Sequence, residues 1–281
     1  MRSMRPDADI CVCKITIPAG KRKMSALVLS PKEKPVQAPG ILWLHGGGYI
    51  AGMKEMVHMS RAVDLVKQFG AVVVSPGYRL APLAPYPAAF DDCYAALLYL
   101  KANAAALGVR DDQLMVGGES AGGGLCAAVC IRARDTGDVH IAFQMPLYPM
   151  LDDRDTESSR HNRGKVWNTR KNHFAWRCYL RGQNRQNLPP YAAPARLTDF
   201  AGLPPVYTFV GDGEPFYAET RRYIEGLRAC GIPAVLDVYP IDVHAFDMMR
   251  PEMSVSRDAA QQFGAQFAYA KAHYFAPQEP R

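Results

Sequence analysis

An α/β fold, in which helices cover both faces of one mostly parallel sheet, is predicted by two features of this chain. Short apolar runs alternate with longer amphipathic stretches over most of its length, and from the third run onward the apolar runs are solid. A strand with one wet face alternates apolar and polar side chains, whereas a strand covered on both faces by crossover helices does not.

Ile10 to Ile17 alternates and reads as a strand, and Pro18-Ala19-Gly20 turns the chain into a second at Met24 to Leu29. Lys32 to Pro39 is a polar, proline-rich loop that leads into the buried strand Gly40-Ile41-Leu42-Trp43-Leu44. Met56 to Phe69 is amphipathic and reads as one helix stopped by Gly70, and Ala71-Val72-Val73-Val74 follows as a strand. Ala88 to Ala106 is the next helix, ended by Gly108; then come the strand Gln113-Leu114-Met115-Val116 and a helix from Ala121 to Arg134. Ile141 to Leu147 and Val206 to Val210 read as strands, Phe216 to Cys230 as a helix closed by Gly231, Ala234 to Tyr239 as the last strand, and Pro251 to Tyr274 as the C-terminal helix. The rhythm stops between residues 151 and 204. A structureless loop of that length is rare in a compact domain, so this stretch is read as a small helical cap inserted into one domain of residues 1–281.

Two glycine-rich motifs carry the chemistry. Gly118-Glu119-Ser120-Ala121-Gly122 is a G-x-S-x-G pentapeptide, and His45-Gly46-Gly47-Gly48 is an HGGG turn. Each follows a predicted strand, which puts both at the sheet end where α/β proteins collect their reactive groups. A lone G-x-S-x-G is a weak signal, but with HGGG in this order it predicts a serine hydrolase. A nucleophilic serine must be lifted off the sheet by a sharp strand-to-helix turn, which leaves no room for side chains two residues before and after it. An oxyanion needs N–H donors brought very close. Ala121, at the start of a helix, and Gly47 and Gly48, in the facing turn, would supply them.

The 281 residues, 48% hydrophobic and 21% charged, fit an ordinary globular enzyme. No apolar run approaches the roughly 18 residues of a membrane span. The basic start, Met1-Arg2-Ser3-Met4-Arg5, is followed by no apolar stretch, so it does not read as a secretory signal. Seven cysteines without C-x-x-C spacing suggest reduced, mostly buried thiols in a cytoplasmic protein; Cys126 and Cys130, one helical turn apart, lack the further ligands a metal would need. Net charge is +6, and the stretch from Leu151 to Phe200 holds ten Lys/Arg against five Asp/Glu. Arg160 to Arg196 contains nine basic residues and no acid. No binding motif accompanies this run, so a nucleic-acid partner is not expected and a solvated face is the plain reading. The sharper one is that Arg160, Arg163 or Lys165 faces the pocket mouth and draws in esters that carry a carboxylate or phosphate. A homo-oligomer is left open.

In order along the chain, His45-Gly46-Gly47-Gly48, Tyr78-Arg79-Leu80-Ala81-Pro82 with Tyr86-Pro87-Ala88-Ala89, and Gly118-Glu119-Ser120-Ala121-Gly122-Gly123 resemble the hormone-sensitive-lipase-like esterases of the α/β-hydrolase superfamily. The resemblance runs from Leu44 to about Met248. It implies the α/β-hydrolase fold with an eight-stranded, mostly parallel sheet, a Ser–acid–His triad, no cofactor, and hydrolysis of short-chain carboxylic esters. His45 matches the family histidine that orders the oxyanion turn. In Tyr78 to Ala89 the prolines would stiffen a loop under the site, and Arg79 could pair with Asp91 or Asp92. Two departures stand out. Only about ten residues precede Ile10, where the family usually has a helical cap, and Gly211-Asp212-Gly213-Glu214-Pro215 puts glutamate where the family places aspartate.

Glutamate serves in such triads, and the proline after it matches the family, so Glu214 is preferred over Asp212, two residues earlier. The order Ser, acid, His leaves His244 and His273 for the base. His244 lies just past the last strand, where the family's H-x-F motif falls, and His273 near the end of the last helix reads as a surface residue. His58, His140 and His161 read as structural or surface groups, while His173 lies within the cap and could reach a substrate. The expected triad is Ser120, His244 and Glu214. The acyl group would lie among Tyr49, Tyr148, Trp167 and Phe174, each of which is more often plain packing. A small-molecule ester, an acetyl ester among the candidates, fits the short cap better than a long-chain lipid. An amidase or peptidase with the same triad stays open, and so does a ligand receptor on the same fold, although a receptor would be expected to have lost a triad member.

Overall fold

The computed structural model describes residues 1–278. Eight strands form one sheet: β1 (Ile10–Ala19), β2 (Arg22–Pro31), β3 (Ala38–Leu44), β4 (Val72–Pro76), β5 (Val109–Glu119), β6 (Phe143–Leu147), β7 (Val206–Gly211) and β8 (Ala234–Tyr239), in spatial order β1-β2-β4-β3-β5-β6-β7-β8. β1 pairs antiparallel with β2 and β2 with β4, and every later pairing is parallel. The solid apolar runs at Gly40–Leu44 and Ala71–Val74 are therefore interior strands, and every residue of β3 and β4 is buried. This is the α/β-hydrolase fold.

Among the described residues, seven α-helices accompany the sheet: α1 (Ala62–Phe69), α2 (Ala88–Ala102), α3 (Ala121–Thr136), α4 (Thr169–Tyr179), α5 (Tyr217–Ala229), α6 (Phe246–Met249) and α7 (Ser254–His273). They divide between the two faces. α2, α3 and α5 share a core with Leu42, Leu44, Val72 and Val74, while α1 and α7 pack with Ile41, Trp43, Val73 and Phe209 on the other side.

Several boundaries differ from expectation, three of them with a clear physical reason. The stretch read as one helix from Met56 to Phe69 is a 3-10 helix, Lys54–Met59, followed after a break by α1. The break has a local cause. The Ser60 hydroxyl donates to the Val57 carbonyl and accepts from the Ala62 N–H, which ends one helix and starts the next. The helix read as Ala88 to Ala106 ends at Ala102, where Asn103 turns its side-chain amide back to the Tyr99 carbonyl. β5 runs from Val109 to Glu119, well beyond the apolar Gln113–Val116, because Ala38 and Gly40 of β3 pair with Val109 and Leu114.

Residues 151–204 hold α4 and the short 3-10 turn Pro194–Arg196. Asn168 caps α4 by accepting from the Lys171 N–H. Asn172, Ala175, Trp176 and Tyr179, at helical spacing, form its buried face. Ion pairs tie the segment down: Arg154 with Asp152, and Arg185 and Arg196 with the buried Asp153.

Candidate active site

Ser120 stands between β5 and α3 with φ 57° and ψ −118°. A positive φ is uncommon for a residue with a Cβ and carries strain of about 1–3 kcal/mol. The glycines around it make the turn sterically feasible. A Cβ on Gly118 would come within 2.6 Å of the carbonyl oxygens of Leu44 and Gly122, and one on Gly122 would overlap the Leu44 carbonyl. Backbone bonds pin the elbow: the Ser120 N–H donates to Leu147, and the Ser120 carbonyl accepts from Gly124 and Met150.

His244 follows β8 in a loop closed by the left-handed Ala245. Its Nε2 lies 2.9 Å from Ser120 Oγ, and its Nδ1 contacts Glu214 Oε2. A neutral imidazole with its proton on Nδ1 satisfies both neighbours, donating to the carboxylate and accepting from the hydroxyl. Phe216 and Tyr148 hold the ring edge-on, with centroids 5.0 and 5.3 Å away. Glu214 is wholly buried, and its other oxygen accepts from the Gly211 N–H at 3.3 Å. Burial pushes its carboxyl above the usual range, and the adjacent His244 and the Gly211 amide pull it part of the way back. Asp212 is exposed on the same loop, and among the described residues only its backbone N–H is bonded, to Tyr239. The site thus gathers Ser120, Glu214 and His244 and leaves Asp212 outside.

Gly47 and Gly48 occupy the turn after β3, and Ala121 is the first residue of α3. Among the described residues, none of their three amides donates to a protein acceptor. The turn is braced from beneath. The His45 ring stacks on Tyr78 at 4.0 Å, its Nδ1 faces the Gly46 carbonyl at 2.8 Å, and the Tyr78 hydroxyl donates to the His45 carbonyl. Burial drops the His45 imidazole to about 4, so it is neutral and Nδ1–H donates. Arg79 pairs with the buried Asp92 and not with Asp91.

Of the four side chains expected around the acyl group, Tyr49 and Phe174 lie away from Ser120, Tyr148 packs edge-on against His244, and Trp167 reaches the oxyanion turn. Tyr49 is buried in the core, stacked on Tyr179 at 4.0 Å, with its hydroxyl on the Met150 carbonyl. Tyr148 is fully buried, and its hydroxyl is committed to Asp247 Oδ1 at 2.9 Å. Both hydroxyls are committed to partners within the fold, which an aromatic beside a motif does not reveal. Trp167 is half-buried and reaches the oxyanion turn; a Cβ on Gly48 would overlap its ring. Phe174 lies 52% exposed on α4, facing a groove away from the core. His173 pairs with Asp155. Cys126 and Cys130 are buried in α3, and Cys126 Sγ donates to the Val116 carbonyl.

Two buried carboxylates next to the site were not foreseen. Asp247, three residues past His244, is bound by Arg61 Nε at 2.7 Å as well as by Tyr148. Glu119, one residue before Ser120, accepts from Trp43 Nε1 at 2.9 Å. The signal for Asp247 was available: a lone acid among Ala245, Phe246, Met248 and Met249 must find a partner once buried.

The family described as having the alpha/beta hydrolase fold matches residues 41–248. Over 247 residues the chain is 32% identical to Esterase LipI of Mycobacterium tuberculosis, an alignment that covers 86% of this chain and 76% of LipI. It is 34% identical to Carboxylesterase NlhH of the same organism over 216 residues, covering 74% of this chain and 66% of NlhH. Among solved structures, a bacterial heroin esterase superposes with a TM-score of 0.86 at 32% identity, over 92% of this chain and 83% of that one. The chain belongs to the hormone-sensitive-lipase-like esterase family of the α/β-hydrolase superfamily. It is a carboxylic ester hydrolase, and among its described residues no helix is long and apolar enough to cross a membrane.

Proposed function

We propose that Ser120, His244 and Glu214 are the nucleophile, base and orienting acid of a carboxylesterase acting on short-chain acyl esters, acetyl esters among them. The observation that carries this reading is the position of His244, whose two ring nitrogens face Ser120 Oγ and Glu214. In the first half-reaction His244 Nε2 takes the Ser120 proton as Oγ attacks the ester carbonyl, and the carbonyl π pair moves onto oxygen. The amides of Gly47, Gly48 and Ala121 hold that oxyanion, and the α3 dipole adds to the field. Collapse expels the alkoxide, which takes the proton from His244. Water then enters, gives a proton to His244, attacks the acyl-enzyme, and returns Ser120 to its hydroxyl form. Glu214 keeps Nδ1 protonated throughout and steadies the imidazolium.

Restricted access supports the short acyl group. Ser120 is 6% exposed and His244 4%, and Trp167 closes over Gly48. The test is kcat/KM for p-nitrophenyl esters from acetate to decanoate. It should peak at acetate or butyrate and fall about tenfold or more by octanoate, since each methylene without a pocket forfeits its transfer energy. A profile that rises with chain length would contradict the proposal.

A further inference from the structure

The chain that leaves β6 touches both the nucleophile and the base. The Leu147 carbonyl accepts from the Ser120 N–H, the Tyr148 ring stands edge-on to His244, and the Met150 N–H donates to the Ser120 carbonyl at 2.9 Å. Tyr148 itself has φ 33°, a conformation that a residue with a Cβ keeps only where the chain on either side is fixed. Ser120 fixes the near side. On the far side Glu219 Oε1 accepts from two successive amides, Leu151 N–H at 2.6 Å and Asp152 N–H at 3.2 Å.

Glu219 lies in the first turn of α5, which begins directly after Glu214-Pro215-Phe216. The Tyr217 N–H donates to the Glu214 carbonyl, and Phe216 is the other ring against His244. Ser158 fixes this helix start, donating to the Pro215 carbonyl and accepting from the Ala218 N–H. A closed circuit results. It runs from Glu214 through the start of α5 to Glu219, crosses to residues 151 and 152, and returns along the β6 exit to Ser120 and His244. Glu219 is 1% exposed, and its Oε2 has no partner among the described residues. Burial pushes its carboxyl well above the usual range, the two amides pull it part of the way back, and the Asp152 and Glu214 carboxylates push it up again. A neutral acid clasps the amides without setting a second negative charge near Glu214.

We infer that Glu219 is a positioning residue for the acyl transfer, a clasp on residues 151 and 152 that fixes Ser120 against His244. The inference rests on the esterase reading of that site and adds to it a side chain that touches no reacting atom. Releasing the clasp frees the Met150 amide and the Tyr148 ring to shift against the nucleophile and the base. A displacement of about 1 Å between reacting groups costs about 100-fold in rate. The loss falls on kcat, because the groups that move orient Ser120 and His244 and not the substrate.

The experiment compares Glu219→Leu, Glu219→Asp and Glu219→Gln with the parent in two readouts, turnover of p-nitrophenyl acetate and the rate at which a fluorophosphonate labels Ser120. Each rate is divided by the folded fraction from near-UV circular dichroism. Glu219→Leu offers the amides no acceptor; kcat should fall about 100-fold, KM should stay within about threefold, and labelling should slow in parallel. Glu219→Asp withdraws the carboxyl by one methylene and should lose about tenfold in both rates. Glu219→Gln presents the same carbonyl oxygen to the two amides and should bring both rates to within about threefold of the parent, as a neutral clasp requires. Where Glu219→Leu does not fold, the ranking of the Asp variant below the Gln variant decides. Parental rates per folded molecule in the Leu and Asp variants, a loss confined to KM, or a Gln variant as slow as the Asp variant overturns the inference. Labelling needs no ester. A parent labelled on Ser120 that hydrolyses no ester strikes the esterase reading alone, and the order of labelling rates still decides the role of Glu219.

Discussion

The indole of Trp167 closes against Gly48, so a side chain from the inserted segment roofs the turn that carries two of the proposed oxyanion amides. Trp167 is held there by its Nε1 on Asn172 Oδ1 at 3.3 Å and by the Asn168 cap of α4. Replacing it with alanine removes the roof without touching Ser120, His244 or Glu214. Trp167→Ala should raise kcat/KM for p-nitrophenyl octanoate relative to acetate by about tenfold, the worth of one or two newly accommodated methylenes. An unchanged ratio would place the acyl group on another side of the elbow.

Glu214 and Asp212 make opposite predictions. Glu214→Gln leaves the shape but presents an amide to Nδ1, which favours the wrong tautomer; kcat should fall by about 10⁴-fold. Asp212→Asn changes an exposed side chain without a bonded partner and should alter kcat by less than about threefold. Steady-state kinetics with one good substrate decides, and the reverse ranking would move the acid to Asp212.

Glu119 makes stability depend on pH. Its carboxyl is fully buried, and burial, the nearby Asp247 charge adding to it, raises it to about 8 against about 4.3 in an unfolded chain. The unfolded chain gives up this proton near pH 4.3 and the folded protein keeps it until about 8, so the group's contribution is complete below the lower value and drains away between the two. A neutral Glu119 also spares the oxyanion a negative charge one residue away. Glu119→Gln can still accept from Trp43 and does not ionise. Urea denaturation at pH 5 and pH 8 should show a smaller loss of stability in the variant than in the parent, and equal losses would mean that Glu119 ionises in the fold.

Asp247 joins Arg61 and Tyr148 in a network that is almost wholly buried. Removing the Asp247 charge leaves Arg61 only the partly exposed Asp64, at 2.9 Å, so the cost falls at or below the about 3–5 kcal/mol of a stranded buried charge. Asp247→Asn should therefore lower the free energy of unfolding by about 2–4 kcal/mol, and it should also slow turnover, because Tyr148 is one of the two rings that hold His244 edge-on. A change below about 1 kcal/mol would show that the network is not a stabilising unit.

What the sequence revealed and what it hid follow from the range of the interactions involved. The strands, the elbow and the HGGG turn rest on local rules: apolar runs, glycines two residues either side of a serine, helix-stopping glycines. Glu214 is preferred to Asp212 by resemblance alone, since the proline beside it matches the family pattern. The hydroxyl partners of Tyr49 and Tyr148, Met150 and Asp247, were not legible, because they are 101 and 99 residues away and leave no trace near the motifs. The break at Ser60 has a local cause, the Ser60 hydroxyl bonded to Val57 and Ala62, but it escaped because the apolar spacing runs on unbroken around it. The charge run from Arg160 to Arg196 was visible as composition, but only folding sorts it into the paired anchors Arg185 and Arg196 and the arginines at 160, 163, 170 and 177, which line the groove that Phe174 faces.

The central claim, that Ser120 is activated by His244 within this site, is tested most directly by a phosphonylating inhibitor. An organophosphate or fluorophosphonate reacts quickly only with a hydroxyl whose proton has a base to receive it. Incubating the folded protein with a fluorophosphonate, digesting it and mapping the adduct by mass spectrometry should place one label on Ser120. The label should be lost in His244→Ala, whose Ser120 has no base within reach. An adduct on another residue, no adduct in folded protein, or undiminished labelling without His244 would contradict the account.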